Sequence, residues 1–127
     1  MIYRIETQTP MGEIAQKLPE AAKAEGFGVL HVFELPAIIR SKGFDYPGEV
    51  TVFEICSPKY AFGVLSDDPA ASVYLPCRIS VAEAGGTRVL STPDLEATVR
   101  GDTLSPETVK THLADVFGKI KKIMAQL

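Results

Sequence analysis

The run Val73-Tyr74-Leu75-Pro76-Cys77-Arg78-Ile79-Ser80-Val81-Ala82-Glu83-Ala84, then Gly85-Gly86, then Thr87-Arg88-Val89-Leu90-Ser91-Thr92 decides the fold. Side chains alternate faces along a strand, so Leu75, Cys77, Ile79 and Val81 share one apolar face. Tyr74, Arg78 and Ser80 share the other. Gly85-Gly86 reads as a two-residue hairpin turn, because two consecutive glycines supply the positive φ values that such turns demand. The expected pair is a strand over Val73 to Ala84 and an antiparallel strand over Thr87 to Thr92. That register sets Glu83 opposite Arg88, a favourable cross-strand charge pair.

Upstream, Val50 to Cys56 reads as a strand with Phe53 and Ile55 toward the core and Glu54 and Cys56 on the opposite side. Ser57 caps a helix with Pro58 at its first position, and Ala61, Val64 and Leu65 are expected to face inward. Asp67-Asp68-Pro69 closes that helix; two loop acids without further ligands read as solvated. Phe27 to Glu34 is an apolar, β-branched strand, and a short helix over Pro36 to Lys42 stops at Gly43 before a turn at Pro47-Gly48. At the start, Ile2 to Thr7 alternates as a strand with Arg4 and Glu6 opposed to Tyr3 and Ile5. Thr9 and Pro10 open a helix with a buried stripe of Ile14, Leu18 and Ala22, a kink at Pro19 and an end at Gly26.

Downstream, Thr92-Pro93-Asp94 begins a short helix, and Ser105-Pro106 opens the last one, with Leu104 and Val109 placed as a hydrophobic staple. Val109, Leu113, Val116, Phe117, Ile120, Ile123 and Met124 form one stripe at helical spacing. The order β-α-β-α-β-α-β-β-α-α predicts an α+β fold in a single domain over residues 1–127. Helix-linked strands tend to be parallel, so a mixed sheet of about five strands is expected, with the helices mainly on one face.

The chain has 127 residues, 46% apolar and 23% charged, ordinary globular values for one core. Thirteen Lys and Arg against 16 Asp and Glu leave a net charge of −3, which opposes nucleic acid as partner. The one basic cluster, Lys119, Lys121 and Lys122, sits in the last turns of a helix, where cations favour the macrodipole. No stretch is long and apolar enough for a transmembrane helix, and the N-terminus lacks the pattern of a signal peptide. The expected setting is cytoplasmic, with no membrane partner. Cys56 and Cys77 have no C-x-x-C spacing and read as free thiols on opposite faces. No metal site and no cofactor are expected.

Cys56-Ser57-Pro58, Ala61 and Leu65, and the later run Leu75-Pro76-Cys77-Arg78-Ile79-Ser80-Val81 together resemble the domain of unknown function family 302. Gly26-Phe27 and Lys42-Gly43 fit the same pattern. The family often carries Asn where this chain has Ser57, and both cap helices. The resemblance implies a compact α+β fold and a homodimer, and it implies no activity.

Candidate chemistry collects on one polar sheet face. Regular pleating gathers Arg4, Glu6, Glu54, Cys56 and Arg78 there. Cys56 ends a strand just before a helix N-terminus, where amide dipoles lower a thiol pKa; with no paired catalytic His evident, the simpler reading is an inert, half-buried thiol packed at a strand end. Arg78 and Glu54 most simply form a structural ion pair; the functional alternative is an anion site in which Arg78, Lys59 and the free N–H groups after Ser57 face a small carboxylate or phosphate. Cys77 reads as a core thiol. His31, in a strand among Phe27, Val29 and Phe33, reads as a buried or interface histidine rather than a catalytic base, although it is the only strand-borne histidine that could reach Cys56, and His112 borders the last helix's apolar stripe. The leading expectation is therefore a homodimeric accessory protein binding a small ligand or anion around Cys56, Ser57, Lys59, Glu54 and Arg78. The alternatives are a thiol-dependent enzyme or redox sensor using Cys56, and a structural interaction module.

Overall fold

The computed structural model describes all residues from Met1 to Leu127. Five strands form one sheet: β1 (Ile2–Thr7), β2 (Gly28–Glu34), β3 (Val50–Cys56), β4 (Cys77–Ala84) and β5 (Thr87–Pro93). Five α-helices accompany them: α1 (Met11–Ala24), α2 (Leu35–Ser41), α3 (Pro58–Asp67), α4 (Leu95–Arg100) and α5 (Glu107–Ala125), with a 3-10 helix at Pro69–Tyr74. The α+β class and the five strands follow the expectation.

The sheet order is β1-β5-β4-β3-β2 and every neighbouring pair is antiparallel. The mixed sheet is therefore corrected. A parallel crossover needs a helix that runs back the length of a strand. α2 has seven residues, roughly 10 Å at 1.5 Å per residue, whereas the seven residues of β2 span roughly 23 Å. The chain turns back instead, and β3 pairs antiparallel with β2. Between β3 and β4, α3 packs against α5 and the 3-10 helix packs against α3, rather than carrying the chain back for a parallel pairing. Only α1 makes a full crossover, from edge strand β1 to the opposite edge β2.

The Gly85-Gly86 hairpin forms as the sequence requires, with φ of +59° and +86°, and Arg88 bonds Glu83 at 3.0 Å. Arg88 also donates to the backbone carbonyls of Thr9 and Gln8, tying the hairpin to the entry of α1.

Alternation holds in β3 and β4. Phe53, Ile55, Cys77, Ile79 and Val81 are buried against Ile14, Leu18 and Ala22 of α1 and Phe117, Ile120 and Met124 of α5. A smaller cluster joins Val64 of α3, Ala71, Val99 of α4, and Val109 and Leu113 of α5. Leu75 packs against both clusters.

Several local expectations shift. β4 begins at Cys77, and Val73 and Tyr74 belong to the 3-10 helix. Tyr74 therefore leaves the polar sheet face; its hydroxyl donates to Asp102 at 2.7 Å. Leu65 is 40% exposed, because its position on α3 points away from Val64. Leu104 is 91% exposed, so no staple closes on Val109. The cap positions of α1 and α5 fall on Pro10 and Pro106, one residue beyond Thr9 and Ser105. Ser105 instead bonds Asp102, whose carboxylate also accepts the amides of Leu104 and Ser105.

Candidate functional site

The helices cover one side of the sheet. Outward residues of β3, β4 and β5 (Val52, Glu54, Ser80, Ser91) remain only half-buried, and Arg4 and Arg78 are exposed. The registers order this open face in two rows. One runs Arg4, Ser91, Ser80, Val52, Phe33 from edge to edge. The next carries Arg78, Glu54 and His31. Ile2, Arg4, Val52, Arg78, Ser80 and Ser91 line a shallow depression of about 480 Å³.

Electrostatics mark this depression. Glu54 is the register partner of Arg78, yet no ion pair joins them, and Arg4 has no ionic partner either. The structural ion pair between Glu54 and Arg78 is thus corrected. Adjacent antiparallel positions bring Cβ atoms close, but long side chains on a solvated face lean apart at little cost. Two guanidiniums flank a floor carrying two serine hydroxyls. A guanidinium presents its donors in a planar fork that fits carboxylate or phosphate, so the arrangement can receive a small anion.

The expected set is not brought together as a whole. Cys56 occupies the end of β3 beside Gly28, half-buried and outside the depression. Ser57 holds the cap position of α3, buried, without a side-chain cap bond. Lys59 is exposed on the first turn of α3 and takes no part in the depression. Glu54 shares the face but not its lining.

The Cys56 thiol does not follow the expected acid shift. Burial pushes it up from its ordinary value, because desolvation penalises the thiolate. Cys77 is pushed up to about 12, first by burial, then by the neighbouring Cys56 thiol, against a smaller pull from Arg78. Both cysteines are free. The ring of His31 lies 5.9 Å from that of Phe33, centroid to centroid, and His112 stands edge-on to Tyr60 at 6.0 Å. No three His, Cys, Asp or Glu side chains gather as metal ligands. No helix is long and apolar enough to cross a membrane.

The alternation in β1 already placed Arg4 on this face. Ser91 was missed, although Val89, Ser91 and Pro93 alternate against Arg88, Leu90 and Thr92 just as in β4. Two lysines of the α5 basic cluster are engaged within the fold: Lys119 lies 3.8 Å from Glu25, and Lys121 sits over the Phe117 ring at 4.6 Å.

The family model for the Domain of unknown function DUF302 matches residues 3–127. The fold is similar to the crystal structure of an uncharacterized conserved protein DUF302 from Bacillus stearothermophilus, with a TM-score of 0.90 at 27% identity. That match covers 98% of this chain and 95% of the other. No curated protein matches the chain. The chain belongs to the DUF302 family.

Proposed function

We propose that this DUF302 member is a homodimeric accessory protein that binds a small carboxylate or phosphate on the open face of its sheet, with Arg78 and Arg4 as the cations. The observation that carries this reading is the pair of guanidiniums without ionic partners around one depression, with Ser80 and Ser91 between them. Binding there costs no existing ion pair. The hydroxyls can rotate to donate to an oxyanion. Cys56 flanks the region as a neighbour. Its raised thiol pKa disfavours a thiolate nucleophile at neutral pH, and with it the thiol-enzyme alternative.

The second copy is the natural partner of β2. That strand is an open edge of the sheet, and it exposes Leu30, Val32 and Phe33 by 53%, 50% and 36%. An antiparallel ladder is itself twofold-symmetric, so an unpaired edge strand can pair with its own copy about a dyad. The long apolar edge is otherwise an aggregation hazard. Pairing would join two sheets into one and set two anion sites on a shared surface.

The test is a titration of ¹⁵N-labelled protein with inorganic phosphate and with acetate, followed by amide shifts. Shifts centred on Arg4, Arg78, Ser80 and Ser91 that vanish in Arg78→Ala support the site. Absence of shifts there with both anions at about 10 mM, weaker than any specific charge-assisted site should be, overturns it.

A further inference from the structure

On the other side of the sheet lies a separate cavity of about 360 Å³, between the first turns of α1, the helix α2 and the start of β3. Ile14, Phe53, Val81 and Pro36 give it an apolar floor, all four buried. Its mouth carries Glu34, Glu49, Arg40 and Thr51. The placement follows from register. Glu34 on β2 pairs with Thr51 on β3, and Glu49, two residues before Thr51, shares that face. The Thr51 hydroxyl, in a residue only 8% exposed, donates to Glu34 Oε2 at 3.0 Å. That bond fixes one carboxylate oxygen and leaves Oε1 unengaged.

None of the three charged groups closes an ion pair. Arg40 donates through Nη1 to the Tyr46 carbonyl at 2.7 Å, which holds its guanidinium toward the loop between α2 and β3. Two carboxylates therefore stand over an apolar floor with one cation held to the side, so the mouth carries one more negative charge than positive. The mouth thus sets an oriented carboxylate without an ionic partner beside an apolar floor. Ligand pockets combine the two: an apolar volume for the body and a few placed polar groups for orientation.

We infer that this cavity is a binding site for a small apolar primary amine, whose ammonium group sits between Glu34 and Glu49 and whose hydrocarbon body lies over Ile14, Phe53 and Val81. An ammonium has three donors and no acceptor. It satisfies Glu34 Oε1 and the Glu49 carboxylate together and neutralises the excess negative charge. A carboxylate ligand would meet repulsion from the same pair. The site is independent of the anion depression, sharing no lining residue with it.

The test uses 2-phenylethylamine, with 2-phenylethanol and 3-phenylpropanoate as the neutral and anionic counterparts, each titrated into ¹⁵N-labelled protein. The expected result is amide shifts at Ala15, Ala37 and Thr51 with the amine alone at low millimolar concentration. Glu34→Gln keeps an acceptor for Thr51 and should fold as before, yet weaken the amine about tenfold, the scale of a hydrogen bond to a charged group. Glu49→Gln should act in the same direction. Equal binding of the alcohol, preferential binding of the acid, unchanged affinity in Glu34→Gln, or no shift with any of the three probes each overturns the inference. Shifts at Arg4 or Arg78 report on the other face, so failure of one site is read separately from failure of the other.

Discussion

Arg78 stands directly across the β3–β4 ladder from Glu54, and the two side chains leave the available ion pair open. An exposed cross-strand pair is worth only about 0.2–1 kcal/mol. An anion that engages Arg78 through two charge-assisted hydrogen bonds outcompetes it. Arg4 reaches the same depression from the edge strand β1, with Ser91 and Ser80 as stepping positions across β5 and β4.

Arg78→Ala should therefore leave folding stability within about 0.5 kcal/mol of the parent, the range of surface substitutions that break no contact. The same substitution should abolish the phosphate-induced shifts on the open face. Urea unfolding and the phosphate titration measure the two effects separately. A loss of stability well beyond that range would mean that Arg78 is a structural residue.

Cys77 supplies a pH-dependent prediction. Its thiol is held protonated up to about 12 in the fold, against a reference value of 9.0. The unfolded chain releases that proton first. Stability from this group is then fully present below pH 9 and is lost as pH rises toward 12, with a slope approaching about 1.4 kcal/mol per pH unit. Comparison with Cys77→Ala isolates the effect, since that variant lacks the titrating group. Identical slopes between pH 9 and 11 in the two proteins would contradict it. Cys77→Ser should cost about 1–3 kcal/mol by placing a hydroxyl in the apolar stripe.

Asp102 is the hub of a polar network that joins the 3-10 helix to the entry of α5. It accepts from Tyr74, from the Ser105 hydroxyl and from the amides of Leu104 and Ser105. These bonds, led by Ser105 and Tyr74, hold its carboxyl well below the usual carboxylate range. A depressed folded pKa contributes stability that is present above the unfolded value of 3.8 and lost as pH falls below it. Thermal unfolding of the parent should thus exceed that of Asp102→Asn at pH 7, and the gap should narrow below pH 4. A gap independent of pH would assign the effect to geometry alone. Tyr74→Phe, which removes one of the four bonds, should cost up to about 1 kcal/mol.

What the sequence revealed depended on whether a signal was local. Gly85-Gly86 and the Glu83–Arg88 pair lie within one hairpin, and both were readable because the turn chemistry fixes the register. Alternation told which side of β3 and β4 is buried, so the shared face of Arg4 and Arg78 followed. The direction of β3 relative to β2 did not, because it depends on the length of α2 rather than on any residue type. Val73-Tyr74 reads as the start of a strand, yet it ends a 3-10 helix that Asp68 caps and Pro69 opens, and the Tyr74 hydroxyl bonds Asp102, 28 residues away. The thiol of Cys56 has a helix start beside it in the sequence, but its desolvation is a property of the packed structure. Glu34 and Thr51 come together through pairing of β2 with β3, across a helix and a loop that carry no sign of the cavity.

The last prediction concerns the edge strand. Val32 lies next to the central residue of β2, opposite Phe53, and half of its surface faces solvent. In the isolated chain, Val32→Lys removes little core packing, because the long aliphatic stem can cover the same surface while its ammonium reaches water. In a dimer built through β2, the same lysine meets its own copy near the dyad. Two like charges would then be desolvated side by side, the device by which natural edge strands avoid pairing. Sedimentation equilibrium at micromolar concentration should therefore give a dimer for the parent and a monomer for Val32→Lys, with unchanged far-ultraviolet circular dichroism. A parent that sediments only as a monomer would remove the dimer altogether. A Val32→Lys variant that remains dimeric would move the interface away from β2, leaving the open face that carries Arg4 and Arg78 as the surface to examine.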